Sequence, residues 1–142
     1  MDYILEIDNA VSKEFCEDVI SRFEKDERKV TGSTVGGVDE KVKKSIDLPI
    51  SSSSIRGDWQ DVVDEVGECL NEALLKYQDY VHTEGLDRCL AVHKSVNNAT
   101  IGLPQIQKTE KDGFYTWHHD GFLNRILTYI IYLNDVEEGV GG

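Results

Sequence analysis

The stretches Tyr115-Thr-Trp-His-His-Asp-Gly121 and Arg125-Ile-Leu-Thr-Tyr-Ile-Ile-Tyr-Leu-Asn134 decide the predicted fold of this chain. In an extended strand, side chains two residues apart project from the same face, so His118 and Asp120 point at one place. An imidazole and a carboxylate placed in this way are two of the three ligands in a 2-His-1-carboxylate site for non-heme Fe(II). The second stretch is an apolar run rich in Ile and Tyr, which predicts a buried strand beside that site.

The composition indicates one globular domain of 142 residues, which is long enough to bury a hydrophobic core. The net charge of −12 argues against a nucleic-acid-binding protein, because phosphate contacts need clustered Lys and Arg. No apolar stretch approaches the ~20 residues needed to cross a bilayer, and the N-terminus lacks the layout of a signal peptide. The three cysteines form no Cys-x-x-Cys pair and leave an odd thiol, which favours a reducing compartment and hence the cytoplasm.

Two helices are predicted in the first half of the chain. Ser12 offers an N-cap to a helix that runs to about Arg28, with Phe15, Val19 and Phe23 at helical spacing. Asp58 is a plausible N-cap for a second helix, whose apolar stripe continues to Val81. We interpret both stripes as core.

The segment 31–57 is rich in Gly and Ser and predicts a loop, within which residues 45–48 could form a short strand. A loop of this length acts as a lid or binding loop in some proteins and is simply mobile in others. Residues 1–100 are therefore expected to be mainly helical support, and residues 101–142 to contain the first core strands. Helices first and strands last predict an α+β arrangement, with the helices packed on a mainly antiparallel sheet.

The motifs Gly113-Phe-Tyr-Thr-Trp-His-His-Asp120, Arg125-x-x-Thr128 and Tyr132-Leu-Asn-Asp-Val136 resemble the prolyl 4-hydroxylase group of Fe(II)/2-oxoglutarate dioxygenases, closest to its small microbial and viral members. The resemblance covers about residues 101–142. It implies a double-stranded β-helix (jelly-roll) core with the N-terminal helices packed on its larger sheet. It also implies oxidative decarboxylation of 2-oxoglutarate to succinate and carbon dioxide, coupled to hydroxylation of a C–H bond, with ascorbate as a possible reductant.

The resemblance also assigns roles to individual residues. His118 and Asp120 match two iron ligands, and no catalytic residue beyond the metal ligands is implied. Tyr132 matches a tyrosine that hydrogen-bonds the distal carboxylate of 2-oxoglutarate. Thr128 and Ile130 would line the same pocket, and Tyr115 matches a tyrosine bordering the iron site. The implied substrate is a peptidyl prolyl residue, with a free amino acid or another protein side chain as alternatives.

The chain departs from the family pattern in two ways. Lys108 and Thr109 stand where the family often has a tyrosine near the 2-oxoglutarate site. The family's third ligand, a distal histidine, and the Arg or Lys that follows it have no counterpart before Gly142, so we expect an incomplete oxygenase domain that lacks its C-terminal strands. Open strand edges would then favour a homodimer.

From the His-x-Asp triplet alone, the alternative is a plain imidazole–carboxylate hydrogen bond on a sheet face. For the whole chain, the alternative is a catalytically inactive relative that acts as a binding or assembly module.

Overall fold

The computed structural model describes residues 3–86, 100–120 and 125–136. This part of the chain consists of helices and small antiparallel sheets. The elements, in chain order, are α1 Lys13–Lys25, β1 Val30–Thr31, β2 Lys43–Lys44, β3 Ile46–Leu48, α2 Ser53–Arg56, a 3-10 turn Gly57–Trp59, α3 Gln60–Thr83, β4 Ile106–Lys108 and β5 Phe114–Tyr115.

The start of α1 lies where the sequence predicts it. The Ser12 hydroxyl accepts a hydrogen bond from the backbone N–H of Phe15 at 3.0 Å, which satisfies a donor that the first helical turn leaves free. The helix ends at Lys25, earlier than predicted. The N–H of Asp26 closes the last turn onto the carbonyls of Arg22 and Phe23, while Asp26 itself is already extended.

The start of α3 differs from the prediction, because Asp58 does not cap it. Asp58 lies in the 3-10 turn, and α3 begins at Gln60. The Asp58 carboxylate instead receives a hydrogen bond from Arg28 Nη1 at 2.8 Å, so an ion pair takes the place of the expected cap.

Helices α1, α2 and α3 share one hydrophobic core with strand β3. Ile131 and Leu133 from the apolar run pack against this core and are half-buried. The buried members of the core are Val19, Phe23, Leu48, Ile50, Ile55, Trp59, Val62, Val63, Val66 and Leu70. The helical stripes in the sequence are therefore core, as interpreted.

Asp26 anchors the end of α1 to the start of α3. Its side chain is only 7% exposed and accepts hydrogen bonds from Arg28 Nη2 at 2.6 Å and from Trp59 Nε1 at 3.0 Å. The Arg28 guanidinium, helped by its backbone N–H and by the Trp59 indole, holds the pKa of the Asp26 carboxyl well below its usual range. The carboxylate therefore stays ionised and keeps both partners in place at neutral pH.

Two of the cysteines lie on helices and are half-buried. Burial raises the pKa of the Cys16 thiol on α1 and of the Cys69 thiol on α3. Cys89 lies outside the described residues.

The extended segment 43–48 joins the two small sheets. Strand β3 is the centre of the sheet β1-β3-β4, and strand β2 pairs with β5 in the second sheet. The same segment therefore pairs with β4 through residues 46–48 and with β5 through residues 43–44. Residues 109–113 lie between β4 and β5 and form a turn. They are not paired with the segment 43–48.

The prediction that 31–57 is a loop is wrong in part. The segment contains β2, β3 and α2, although the short strand expected at 45–48 is present as β3. Strand β2 escapes a search for apolar alternation because its buried residue is the polar Lys43. Lys43, Ser45 and Asp47 are buried, while Lys44 between them is exposed.

A strand was predicted over 125–134, but no strand is assigned within residues 125–136 of the structure. A strand is assigned only where backbone hydrogen bonds form a ladder. Residues 125–136 form no such backbone hydrogen bond with the rest of the described chain. The described residues do not form a closed barrel, so the jelly roll stays a prediction.

Candidate metal site

Strand β5 holds the start of the His-x-Asp segment against β2. Lys43 and Tyr115 are paired in the ladder, and the N–H of Thr116 donates to the carbonyl of Val42 at 2.9 Å. Gly113, which precedes β5, approaches β2 so closely that an added Cβ would lie 2.7 Å from the Lys44 carbonyl oxygen. The glycine of the Gly-x-Tyr motif is therefore required by this close approach.

His118 and Asp120 converge, as the two-residue strand period predicts. His118 Nε2 lies 3.7 Å from Asp120 Oδ1, and the two side chains are 38% and 36% exposed. The ladder itself ends at Tyr115, so the convergence does not depend on a regular strand at residues 116–120. Both groups are open to solvent on one side and can reach an ion that enters from there.

The other ring nitrogen of His118 fixes the tautomer. Nδ1 lies 2.9 Å from the carbonyl oxygen of Thr116. A carbonyl oxygen only accepts, so Nδ1 carries a hydrogen and Nε2 is the ring nitrogen that faces Asp120. A histidine that ligates a metal is typically held in this way by a carbonyl or carboxylate.

Asp120 is oriented by Thr128. The Thr128 hydroxyl donates to Asp120 Oδ2 at 3.0 Å, which leaves Oδ1 on the side of His118. Nε2 and Oδ1 then face each other at 3.7 Å, and either a proton on Nε2 or a metal cation between the two atoms would stabilise this arrangement.

The aromatic ring of Tyr115 covers the imidazole of His118. The two ring centroids are 3.6 Å apart and the planes are 18° from parallel. On the same ladder, Lys43 Nζ lies 5.3 Å from the centroid of the Tyr115 ring, within the range of a cation–π interaction. Tyr115 thus borders the candidate site, as the resemblance implies.

A buried polar cluster lies behind Tyr115, and the sequence analysis missed it. Lys43 Nζ forms an ion pair with Asp47 Oδ2 at 2.8 Å, and the two side chains are 5% and 6% exposed. Asp47 also accepts from Ser45 Oγ at 2.8 Å and from Gln105 Nε2 at 2.9 Å. The only signal in the sequence is the alternation of Lys43, Ser45 and Asp47, which has the period of a strand without its usual apolar residues.

Tyr132 and Ile130 lie on the open face of the apolar run. They are 73% and 69% exposed, whereas Ile131 and Leu133 are half-buried against the core. By this alternation Thr128 shares the face of Tyr132, and Thr128 contacts Asp120. The structure therefore brings Thr128 to the candidate site, but it gives Tyr132 no hydrogen-bond partner among the residues that it describes.

The separation of His118 Nε2 and Asp120 Oδ1 fits two ligands of one metal ion after a small rotation of either side chain. Donors about 2.1 Å from an ion and at right angles to each other lie about 3.0 Å apart. Within residues 3–86, 100–120 and 125–136, no group of three or more His, Cys, Asp or Glu side chains is placed to hold a metal. The described chain therefore brings together two candidate ligands, and His93 lies outside the described residues.

A separate cleft lies elsewhere among the described residues. It has a volume of about 550 Å³, and its walls include Lys44, Ser45, Lys108, Glu110 and Gly113, but none of His118, Asp120 or Tyr132. This cleft is therefore separate from the candidate metal ligands.

Comparisons with family models, with curated proteins and with solved structures find no match to this chain. None of the helices in the described ranges is both long and apolar enough to pass through a membrane.

Proposed function

We propose that this chain carries the metal ligands of an Fe(II)- and 2-oxoglutarate-dependent dioxygenase of the prolyl 4-hydroxylase type. The observation that carries the proposal is the convergence of His118 Nε2 and Asp120 Oδ1 at 3.7 Å, with the second polar atom of each side chain held by a hydrogen bond. A peptidyl proline is the first substrate to test, because it is the substrate that the resemblance implies. A free amino acid and other protein side chains follow, and the proposed location is the cytoplasm.

The proposal gives each residue near the site a separate task. His118 and Asp120 hold the ion, Thr128 orients the carboxylate, and Tyr115 covers the imidazole. Tyr132 donates a hydrogen bond to the distal carboxylate of 2-oxoglutarate. When bound, Fe(II) and 2-oxoglutarate together supply the oxidising chemistry with O2.

The arrangement leaves two requirements for other residues to meet. A facial triad needs a third protein ligand. A 2-oxoglutarate carboxylate that is removed from water also needs a cationic partner, because a neutral tyrosine hydroxyl supplies one hydrogen bond and no countercharge. Without both, the two-ligand site supports the second candidate, a non-catalytic binding or assembly module.

Anaerobic titration with Fe(II) tests the metal site in the 142-residue chain. We expect weak binding that falls at least tenfold in His118→Ala and in Asp120→Ala, because each substitution removes one of two ligands. The matched control is His119→Ala, the neighbouring histidine, which should bind Fe(II) as the wild type does. Equal binding by the wild type, His118→Ala and Asp120→Ala would refute the site.

A second titration tests the cosubstrate. A 2-oxo acid that chelates the bound ion must raise the affinity for Fe(II), since coupling between two ligands is reciprocal. We therefore expect Fe(II) to bind more tightly with 2-oxoglutarate present than with succinate, which lacks the 2-oxo group. An affinity that is the same with both would refute a 2-oxoglutarate enzyme and favour the binding module.

Turnover by the chain alone is a separate question. With two protein ligands, we expect no succinate above background from Fe(II), ascorbate and 2-oxoglutarate. Succinate formation would show that His82, His93 or a second copy of the chain supplies the third ligand.

A further inference from the structure

We propose that the buried ion pair of Lys43 and Asp47 positions His118, by holding the Tyr115 ring against the imidazole. Both side chains are almost completely buried, and their charged atoms are 2.8 Å apart. Replacing such a pair by apolar residues often leaves a protein equally stable or more stable, so stability alone does not account for its presence. The pair lies behind Tyr115, whose ring stacks on the candidate metal ligand His118, and it acts there.

The ammonium group of Lys43 is held in one place. Asp47, its partner, is itself fixed by hydrogen bonds from Ser45 Oγ and Gln105 Nε2. Gly32 packs against this cluster so closely that an added Cβ would lie 2.1 Å from Ser45 Oγ and 3.1 Å from Lys43 Cε. The cluster therefore has little room to rearrange.

Two contacts lead from strand β2 to His118. Lys43 is paired with Tyr115 in the ladder, which places the two side chains on one side, and its Nζ lies 5.3 Å from the ring that stacks on His118. One residue earlier, the carbonyl of Val42 accepts from the N–H of Thr116, whose own carbonyl accepts from His118 Nδ1. The backbone thus fixes the tautomer, and Lys43 fixes the ring that covers the imidazole.

Tyr115 needs such a support because it is not enclosed. Its side chain lies on the surface and is 38% exposed. The Lys43 ammonium attracts the electron-rich face of the ring, and this attraction is stronger for a cation that is shielded from water. Loss of the cation should therefore free the ring, and with it the rotamer of His118.

The test uses a neutral pair rather than a single substitution. Lys43→Met alone leaves the Asp47 carboxylate buried without its cation, which is strongly destabilising. Lys43→Met/Asp47→Asn removes both charges and keeps side chains of similar size. A flipped Gln105 amide can accept from the new Asn amide. Lys44→Met, on the opposite face of the same strand, is the matched control.

The first readout is NMR of the metal-free chain, which does not depend on the proposed function. The Tyr115 ring should shift the His118 ring protons upfield in the wild type and in Lys44→Met. In the neutral pair we expect this shift to be lost, although the dispersed spectrum of a folded protein remains. An unchanged His118 shift in the folded neutral pair would refute the proposal.

The second readout is Fe(II) affinity in a double-mutant cycle, and this part rests on the proposed function. Substitutions behind a ligand typically weaken metal binding by 10- to 100-fold, and we expect a loss in this range for the neutral pair. In a Tyr115→Leu background the neutral pair should cause no further loss, because its effect passes through that ring. Equal losses in both backgrounds would mean a merely structural role and overturn the proposal.

The two readouts separate the two hypotheses. If His118 binds no Fe(II) in the wild type, the proposed function fails, while the NMR comparison still decides whether Lys43 holds Tyr115 against His118.

Discussion

Gly113→Ala is expected to separate the turn before β5 from strand β2. An added Cβ at this position would lie 2.7 Å from the Lys44 carbonyl oxygen, 2.8 Å from Thr109 Cγ2 and 3.0 Å from the Glu110 backbone nitrogen. The first and last of these are backbone atoms, so rotation of a side chain cannot relieve the contacts. Either the turn or the strand must move.

The cost follows from the nature of these contacts. Overpacking a well-packed position typically costs about 1–3 kcal/mol, and we expect the upper part of this range, about 2–3 kcal/mol, because two of the contacts are with backbone. For a chain of this size, 1 kcal/mol shifts Tm by about 4 °C. Tm should therefore fall by about 8–12 °C.

Gly67→Ala is the matched control, since it makes the same chemical change in a different environment. Gly67 lies inside α3, and a Cβ there would have nothing within 4 Å. Alanine is favoured over glycine inside a helix by about 0.5–1 kcal/mol, so Tm should rise by about 2–4 °C.

Circular dichroism during heating, repeated with urea at constant temperature, measures both variants. Tyr115, which stacks on His118, lies on β5 two residues after Gly113. The chemical shifts of the His118 ring protons therefore report whether the site moves with the turn. A Gly113→Ala variant with the Tm of the wild type, alongside a stabilised Gly67→Ala, would refute the close approach of the turn to β2.

Three further outcomes are expected at other positions. Thr128→Val should weaken Fe(II) binding about tenfold, because it removes the hydrogen bond that orients Asp120, whereas Thr128→Ser should not; a titration with Fe(II) measures both. In an active preparation, Tyr132→Phe should raise the Kd of 2-oxoglutarate about ten- to a hundredfold and leave the Fe(II) affinity unchanged, because a hydrogen bond to a charged group contributes about 1.5–3 kcal/mol. Asp26→Asn should lower Tm at pH 7, because the pKa of Asp26 is lower in the folded protein than its usual value of 3.8, mainly through Arg28. A lowered pKa stabilises the fold fully above the unfolded-state value, and this stabilisation is lost as the pH falls through the folded-state value, so the difference in Tm should shrink steadily below about pH 3.8.

The helices could be predicted from the sequence because their signals are local. Ser12 caps α1 through a hydrogen bond within three residues, and the apolar stripe of α3 repeats along one element. The predicted N-terminal boundary of α3 was wrong, because the carboxylate of Asp58 accepts a hydrogen bond from Arg28, 30 residues earlier in the chain. The sequence next to a predicted cap does not show whether a distant charged residue binds the capping side chain instead.

Strand β2 could not be predicted, because its buried residue, Lys43, is of a kind that a sequence pattern places at the surface. Lys43, Ser45 and Asp47 are tolerated inside only because they satisfy one another and Gln105, which lies 58 residues away from Asp47. Each of these polar groups meets its hydrogen-bond partner only in the folded protein. Neither composition nor hydrophobic alternation therefore indicates the strand.

The candidate metal pair was predicted from strand periodicity, yet a strand is not what holds it. The ladder ends at Tyr115, and His118 and Asp120 are fixed instead by the Thr116 carbonyl and the Thr128 hydroxyl. Each side chain uses one polar atom for this support and turns the other towards its neighbour. With Nδ1 donating to the Thr116 carbonyl, either a proton on Nε2 or a metal cation can bridge Nε2 and Oδ1. The Fe(II) titration of His118→Ala against His119→Ala distinguishes these two possibilities and is therefore the decisive comparison.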